Sequence, residues 1–82
     1  MLTLYTKPGC PYCAKVREEG KLLGITFDER SIRDPGVSEE LVEKGGKLAV
    51  PYLIDDETGK SMYGSDVIVT YLHERFTQGS VG

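Results

Sequence analysis

The sequence predicts an α/β fold in which a four-stranded mixed sheet is flanked by three helices, in the order β-α-β-α-β-β-α. Short β-prone apolar runs alternate along the chain with segments whose apolar residues recur at helical spacing. Glycine-containing turn signals separate these segments. The 82 residues, 39% of them hydrophobic and 28% charged, suit one small globular domain, which we expect to span residues 1–82.

The first half of the chain predicts a β-α-β unit. Residues 1–6 form an apolar strand, and a helix that begins at Pro11 ends at Gly24, because glycine readily takes the left-handed conformation that stops helices. Residues 25–30 alternate apolar and polar side chains and predict the second strand. The predicted helix carries the apolar residues Val16, Leu22 and Leu23, with charged residues between them. The connecting helix makes the two strands parallel, with a right-handed crossover.

The second half begins with another helix and a hairpin. Asp34 as cap and Pro35 at the first position predict where the second helix starts, and Gly45-Gly46 stops it. Residues 50–54 predict the third strand, and the turn cluster at 55–59 pairs it as an antiparallel hairpin with a fourth strand, Lys60–Tyr63.

The last helix is expected over residues 65–76, followed by a frayed tail at 77–82. Its predicted buried stripe consists of Val67, Ile68, Tyr71 and Leu72. His73 is expected on the helix surface. The other aromatic residues expected in the core are Tyr5, Phe27, Tyr52, Tyr63 and Phe76.

Composition excludes several classes of protein. The net charge of −3 argues against non-specific nucleic-acid binding. No stretch approaches the roughly 20 apolar residues of a membrane span, and no apolar signal region precedes the first strand. With only two cysteines, which form one C-x-x-C pair, the chain suits a reducing compartment, so we expect a cytoplasmic monomer.

The pair Cys10 and Cys13 lies where the first strand ends and the first helix begins. Residues three apart share a helix face, about 5–6 Å apart at Cβ. Pro11 suits the first helical position, which leaves Cys10 at the N-cap, where the helix dipole favours an anion. Because the thiolate is the reactive form of cysteine, the pattern predicts a redox-active dithiol, with Cys10 as nucleophile and Cys13 as resolving thiol.

Other uses of the cysteine pair fit less well. A structural zinc site needs four ligands, and beyond the thiols the chain offers one histidine and carboxylates without matching spacing. A c-type haem site needs histidine after Cys13, where Ala14 stands. A structural disulfide is typical of small secreted proteins with several bridges. We therefore expect no metal site.

The order of elements, with the dithiol after the first strand and Val50-Pro51 before the third, closely resembles glutaredoxin over nearly the whole chain. The run at 5–13, Tyr-Thr-Lys-Pro-Gly-Cys-Pro-Tyr-Cys, resembles the dithiol glutaredoxin active site almost letter for letter. Thioredoxins carry Gly-Pro between their cysteines and a preceding Trp, which this chain lacks. The resemblance implies a thioredoxin-like fold, with a cis peptide bond before Pro51 that faces the dithiol.

Two segments depart from the glutaredoxin pattern. Ala49 stands where glutaredoxins usually have Thr, and residues 63–66 match only part of their Gly-Gly-x-x-Asp stretch. Residues 64–72 are more similar to the Glu-Ser-x-x-Ile-x-x-Tyr-Leu run of glutathione S-transferase N-terminal domains, with Gly64 in place of the Glu. The chain is thus interpreted as a short glutaredoxin whose last helix is similar to the transferase branch. A transferase would also need an all-helical second domain.

The resemblance implies glutathione as co-substrate and no tightly bound cofactor. Lys7 would add positive charge to the Cys10 thiolate and, with Lys47, face the glycyl carboxylate of glutathione. Tyr12 would cover the bound ligand, and Val50, before Pro51, would pair its backbone with the tripeptide. The alternatives are a solvated lysine for Lys7 and packing beside Pro51 for Tyr12.

The start of the last helix would complete the glutathione site. Ser65 and the free amides there would bind the γ-glutamyl carboxylate, and Asp66 would bind the ammonium group. The alternative for both side chains is helix capping.

Three functions remain open. The favoured one is a glutathione-dependent thiol–disulfide oxidoreductase that reduces protein disulfides and glutathione mixed disulfides. The second is a dithiol electron donor reduced by a flavoprotein reductase. The third is an iron–sulfur cluster carrier, held between two protomers through Cys10 and glutathione, which the resemblance associates with single-cysteine sites and which Cys13 makes less fitting.

Overall fold

The computed structural model describes the backbone of residues 1–81 and the side chains of residues 1–76. Within this part, four strands and three helices follow one another in the predicted order. They are β1 (Leu2–Thr6), α1 (Pro11–Leu22), β2 (Phe27–Ser31), α2 (Val37–Gly45), β3 (Tyr52–Asp55), β4 (Lys60–Tyr63) and α3 (Ser65–Val81). None of these helices is long and apolar enough to span a membrane.

The strands form one mixed sheet in the order β2-β1-β3-β4. β1 runs parallel to β2, with Leu2 opposite Phe27. β3 lies antiparallel to β1 on one side and to β4 on the other, and the hairpin turn closes with a hydrogen bond from the Gly59 amide to the Asp55 carbonyl (2.8 Å). The predicted parallel pair and the predicted hairpin are both confirmed.

Successive residues of β1 face opposite sides of the sheet, and each side has its own core. On the side of Leu4, α1 and α3 cover the sheet; this core comprises Leu2, Leu4, Val16, Leu53, Ile68 and Leu72. On the side of Tyr5, α2 covers it; this smaller core comprises Tyr5, Val37, Leu41 and Tyr52. β1 therefore lies between the two cores, and the chain passes from its C-terminal end to the dithiol.

The predicted start of α2 is wrong. The helix begins at Val37 rather than at Pro35. Asp34 does not cap it; its carbonyl instead accepts a turn hydrogen bond from the Val37 amide (3.2 Å). Gly36 takes the left-handed conformation (φ +81°), which interrupts any helix begun at Pro35, and its carbonyl accepts the first helical bond from Glu40.

Two strands begin later than predicted. β2 starts at Phe27 because the amide of Ile25 is used to close the end of α1, donating to the Gly20 carbonyl at 2.8 Å. β3 starts at Tyr52, immediately after Pro51, which has no N–H to donate to a ladder.

Val67 and Phe76, which the sequence predicts to be buried, are exposed, and so is Leu22, one of the apolar residues of α1. Leu22 lies six residues after the buried Val16, which places it on the far side of a helix with about 3.6 residues per turn. Val67 lies one step around α3 from the buried Ile68, and the Phe76 ring packs under the guanidinium of Arg75 rather than in either core.

The far end of α3 also differs from expectation, because the helix is assigned to Val81 rather than to residue 76. No proline lies in residues 77–81 to stop it. The tail expected at 77–82 otherwise lies outside the described residues.

Candidate active site

Cys10 occupies the N-cap of α1, as predicted. The chain leaves β1 and turns at Gly9, whose φ of +78° suits a residue without a side chain. The extended backbone of Cys10 and Pro11 at the first helical position then start the helix, and the Cys10 carbonyl accepts the first bond from the Ala14 amide (3.1 Å). Free amides of the first turn therefore surround the Cys10 sulfur.

The two thiols are free and unequally accessible. Cys13 is completely buried, whereas Cys10 keeps 9% of its surface exposed. Of the two sulfur atoms, that of Cys10 is therefore the more accessible, although Cys10 is more enclosed than an open surface cysteine.

The surroundings of Cys10 favour its thiolate. Burial opposes ionisation, but a hydrogen bond from the Cys13 thiol, the backbone amides of Cys13 and Tyr12, and the charge of Lys7 together hold the Cys10 pKa below its ordinary value. The predicted electrostatic role of Lys7 is consistent with this arrangement, and it is the smallest of these four contributions.

The surroundings of Cys13 favour its neutral thiol. Burial, the hydrogen bond that it donates to Cys10 and the negative charge of Cys10 raise the Cys13 pKa to about 11. A backbone hydrogen bond with Lys7 and the charge of Arg17 act in the opposite direction. The two environments therefore favour a thiolate at Cys10 and a protonated thiol at Cys13.

A cleft of about 540 Å³ opens beside Cys10. Its walls come from the loop before α1, the first turn of α1, the end of β2 and the segment between α2 and β3. They comprise Lys7, Gly9, Cys10, Pro11, Tyr12, Ile32, Leu48, Ala49 and Val50. Three of the predicted glutathione contacts, Lys7, Tyr12 and Val50, thus share one cleft with the proposed nucleophile.

Within this cleft Tyr12 is 63% exposed, as predicted for a residue that closes over a ligand. Lys47 is not among the lining residues: its ammonium group lies 4.7 Å from the centre of the Tyr63 ring, and its carbonyl accepts a hydrogen bond from the Tyr63 hydroxyl. A cation held on an aromatic face is less available to a carboxylate.

The Val50–Pro51 peptide bond is cis, as the resemblance implied. Val50 precedes β3, so its backbone stays outside the ladder with β1, which begins at Tyr52. The carbonyl of Pro51 accepts a hydrogen bond from the Gly64 amide (3.2 Å), which ties this loop to the start of α3.

Ser65 and Asp66 lie at the start of α3 but outside the cleft lining. Ser65 is the first helical residue and is nearly buried, and Gly64 takes the capping position, its carbonyl accepting from Ile68 (3.0 Å). Asp66 is 90% exposed at its side chain and forms an ion pair with Lys15 of α1 at 3.2 Å. The sequence did not indicate that Asp66 already has a partner.

A second charged cluster near the dithiol was not foreseen. Arg17 follows Cys13 by four residues on α1, and its Nε lies 2.9 Å from both carboxylate oxygens of Glu29 on β2. Glu29 also accepts a hydrogen bond from the buried hydroxyl of Thr6 (3.0 Å). The helical spacing from Cys13 to Arg17 was the available signal, whereas the contact with Glu29 depends on the pairing of β1 with β2.

His73 lies on the surface of α3, as predicted, with Nε2 3.3 Å from Glu19 of α1. It takes no part in the cleft.

Comparison with protein families matches residues 4–80 to the glutathione S-transferase N-terminal domain. Among curated proteins, the chain is 30% identical to hybrid peroxiredoxin hyPrx5 of Haemophilus influenzae over 70 residues, which span 85% of this chain and 28% of that protein. It is 32% identical to glutaredoxin 3 of Escherichia coli over 54 residues, 65% of each chain. The match thus covers just over a quarter of one relative and nearly two thirds of the other.

Solved structures show the same fold. An epsilon-class glutathione S-transferase from the housefly, Musca domestica, superposes with a TM-score of 0.79 at 25% identity, over 95% of this chain and 36% of that one. A glutathione S-transferase from the Antarctic clam Laternula elliptica gives 0.79 at 28% identity, over 94% and 36%. A thioredoxin-like protein gives 0.72 at 24% identity, over 82% and 90%. The fold is therefore thioredoxin-like.

Proposed function

This chain belongs to the glutathione S-transferase N-terminal domain family, and we propose that it acts as a glutathione-dependent thiol–disulfide oxidoreductase of the glutaredoxin type. It reduces glutathione mixed disulfides and protein disulfides through Cys10 and Cys13. We further propose that residues 1–82 form one domain and that the protein works as a monomer in the cytoplasm, with glutathione as co-substrate.

The observation that carries the proposal is the contrast between the two thiols. Cys10 has a lowered pKa and borders the cleft, whereas Cys13 is fully buried with a pKa of about 11. The Cys10 thiolate attacks one sulfur of a disulfide, forms a mixed disulfide and expels the other sulfur as a thiolate, which takes up a proton.

Two routes regenerate Cys10. In the dithiol route, Cys13 loses its proton and attacks the Cys10 sulfur, which forms the Cys10–Cys13 disulfide and releases the second substrate thiol. In the monothiol route, a glutathione thiolate attacks a mixed disulfide between Cys10 and glutathione, which releases oxidised glutathione and restores the Cys10 thiolate. In the dithiol route, two molecules of glutathione then reduce the Cys10–Cys13 disulfide and leave as oxidised glutathione. In the monothiol route one free glutathione is enough, because the mixed disulfide supplies the other half of the oxidised glutathione.

The cleft supports glutathione as the partner. Its sulfur would meet Cys10, Lys7 would face the glycyl carboxylate, and Tyr12 would close over the tripeptide. The backbone of Val50, free of the β-ladder, would pair with the extended ligand. Pro51, which follows Val50 and does not itself line the cleft, would stand next to this backbone contact.

The start of α3 would bind the γ-glutamyl end of glutathione. The first-turn amides, with Ser65, would meet its carboxylate, and Asp66 would meet its ammonium group. Asp66 pairs with Lys15 at 3.2 Å, so glutathione binding would exchange one cation for another at this carboxylate.

That same ion pair favours a second candidate function. If Lys15 keeps Asp66, the γ-glutamyl group loses its contact, and the dithiol would be reduced by a flavoprotein reductase instead.

One experiment separates the two candidates. Turnover of a glutathionylated peptide is measured with glutathione, glutathione reductase and NADPH, and separately with a thioredoxin-type reductase and NADPH. The proposal expects turnover in the first assay and little in the second. The reverse result would assign the protein to the reductase-dependent class.

A further inference from the structure

The cluster of Thr6, Glu29 and Arg17 lies beside the buried resolving thiol. Arg17 stands one helical turn after Cys13, so the two side chains share a face of α1 at about 5–6 Å between Cβ atoms. Cys13 has no exposed surface. The Arg17 side chain is 40% exposed, so solvent partly screens its charge, and its attraction for a Cys13 thiolate is modest.

The cluster restricts where the guanidinium of Arg17 can go. Its Nε contacts both oxygens of Glu29 at 2.9 Å, and the hydroxyl of Thr6, itself 1% exposed, donates to Glu29 at 3.0 Å. Thr6 ends β1 and Glu29 belongs to β2, so two strands of the sheet fix the position of a side chain on α1.

We propose that Arg17, held by Glu29 and Thr6, is a positioning residue that promotes the attack of Cys13 on the Cys10 mixed disulfide. The inference rests on the dithiol route of the proposed function. In this arrangement each thiolate is stabilised by a different cation: Lys7 stabilises that of the nucleophile Cys10, and Arg17 stabilises that of the resolving Cys13.

The charged groups around Cys13 support this division. Burial first, and then Cys10 with its charge, raise the pKa of Cys13, whereas Arg17 lowers it. The hydrogen bond to Glu29 is the main cause of the raised pKa of Arg17, to which the two thiols add smaller contributions. Of the neighbouring elements, β2 contributes Glu29, and α3 contributes Asp66, which Lys15 neutralises.

The effect of Arg17 is greatest at the resolving step. Once Cys10 is bound in a mixed disulfide, its sulfur carries no negative charge and no longer accepts a strong hydrogen bond from the Cys13 thiol. Burial then opposes the ionisation of Cys13, and Arg17 favours it. Cys13 loses its proton to solvent, its sulfur bonds to the Cys10 sulfur, and the bond from Cys10 to the substrate sulfur breaks.

The test uses a symmetrical aromatic disulfide whose thiolate is coloured, so that glutathione takes no part. Reduced protein reacts in two phases: Cys10 releases one coloured thiolate, and Cys13 releases the second. The second phase is followed by stopped flow as a function of pH in the unmodified protein, R17Q, R17K and K21Q, with Cys13→Ser marking the first phase alone. Lys21 is a cation of the same helix, two turns beyond Cys13.

R17Q is expected to move the pH midpoint of the second phase upward by about half a pH unit and to slow that phase about twofold near pH 7.5. The rate changes less than the thiolate fraction, because a thiol of higher pKa is a better nucleophile. R17K and K21Q are expected to keep the midpoint of the unmodified protein. Thermal unfolding of each variant identifies any loss of folding, and R17K tests the charge if R17Q does not fold.

An R17Q midpoint equal to that of the unmodified protein overturns the proposal. So does an equal shift in K21Q, or an R17K variant as slow as R17Q. Because glutathione is absent, these outcomes do not depend on whether glutathione is the physiological reductant; a protein that fails with glutathione can still show the expected second phase.

Discussion

At the scale of single residues, Cys10 and Cys13 differ in what their sulfur atoms contact. Amides of the first helical turn and the Cys13 thiol stabilise the Cys10 thiolate, while burial keeps the Cys13 proton in place. The order of attack in the proposed mechanism follows from this difference.

The two serine variants test that order. Cys10→Ser is expected to abolish all thiol–disulfide exchange, because the chain has no other thiol with a lowered pKa. Cys13→Ser should retain most reduction of glutathione mixed disulfides and lose reduction of stable protein disulfides. Both activities are measured on each variant, and a Cys10→Ser protein that keeps one of them would reverse the assigned roles.

Asp66 provides a second test at this scale. Asp66→Ala is expected to raise the KM for a glutathionylated peptide about tenfold, which corresponds to the loss of one charge-assisted hydrogen bond. The reactivity of Cys10 toward a small alkylating reagent should be the same in this variant as in the unmodified protein, since Asp66 lies outside the lining of the Cys10 cleft.

Lys15→Ala is the matched control for Asp66→Ala, because it removes the same ion pair and leaves the carboxylate free. Its KM is expected to stay level or fall. If both variants raise KM equally, the ion pair itself, rather than Asp66 as a ligand contact, supports the site.

At the scale of elements, sequence patterns predicted the type and order of every helix and strand but misplaced several ends. The end of α1 just before Gly24 could be predicted because a glycine signal acts locally. The start of β2 could not, because the Ile25 amide is taken by a carbonyl of α1. The start of α2 depended on the left-handed conformation that Gly36 adopts, where Asp34-Pro35 gave the stronger local signal.

Gly20 shows how packing between elements overrides helix propensity. In an isolated helix, Gly20→Ala would stabilise by about 1 kcal/mol. Here an added Cβ would lie 2.3 Å from Cε2 of Phe27, so the Phe27 ring or α1 itself would have to shift. Overpacking of this kind costs about 1–3 kcal/mol, so we expect a net destabilisation of about 1 kcal/mol by urea denaturation.

A shorter partner side chain should reverse the sign. In the Phe27→Leu background, Gly20→Ala is expected to be neutral or stabilising. Equal destabilisation in both backgrounds would show that contact with Phe27 is not the reason for glycine at this position.

Asp55 joins β3 to α3. It is 1% exposed and accepts hydrogen bonds from the Tyr71 hydroxyl, Arg75 Nε (2.7 Å) and the Glu57 amide (3.0 Å). Burial alone would raise its pKa, but these donors lower it from 3.8 to about 2. Asp55→Asn is expected to lower stability at pH 7 by about 2 kcal/mol, or roughly 10 °C in Tm.

The pH dependence gives the sign of this contribution. Because the folded pKa lies below the ordinary value, the stabilisation by Asp55 is complete above about pH 4 and is lost as the pH falls toward 2. Urea denaturation of both proteins should therefore show their difference in stability shrinking over that range. A constant difference from pH 5 to pH 2 would mean that Asp55 acts through shape rather than charge.

At the scale of the whole molecule, the fold assembles the cleft from distant parts of the chain. Lys7 and Tyr12 flank the dithiol in sequence, and Val50 is marked by the following proline, so these walls could be predicted. Ile32 and Leu48 could not, because they reach the cleft only through the pairing of β1 with β2 and the packing of α2 on the sheet.

The two covering layers of the sheet are unequal, and amide hydrogen exchange should report this. The nine-residue α2 buries only Val37 and Leu41 against one face of the sheet, whereas α1 and α3 together cover the larger core on the other face. Amides protected only by few buried contacts exchange through local opening. We expect the α2 amides to exchange by local fluctuations that denaturant scarcely affects, while those of β1 and α1 exchange only with global unfolding.

If α2 opens more readily than α1, one wall of the cleft is mobile and the opposite wall is rigid. Leu48 follows α2 and would move with it, whereas Cys10 begins the anchored α1. Disulfides of different size could then be admitted without disturbing the amides around the nucleophilic sulfur. If the amides of α1 and α2 instead exchange at the same rate, through global unfolding, the width of the cleft is constant in the folded protein.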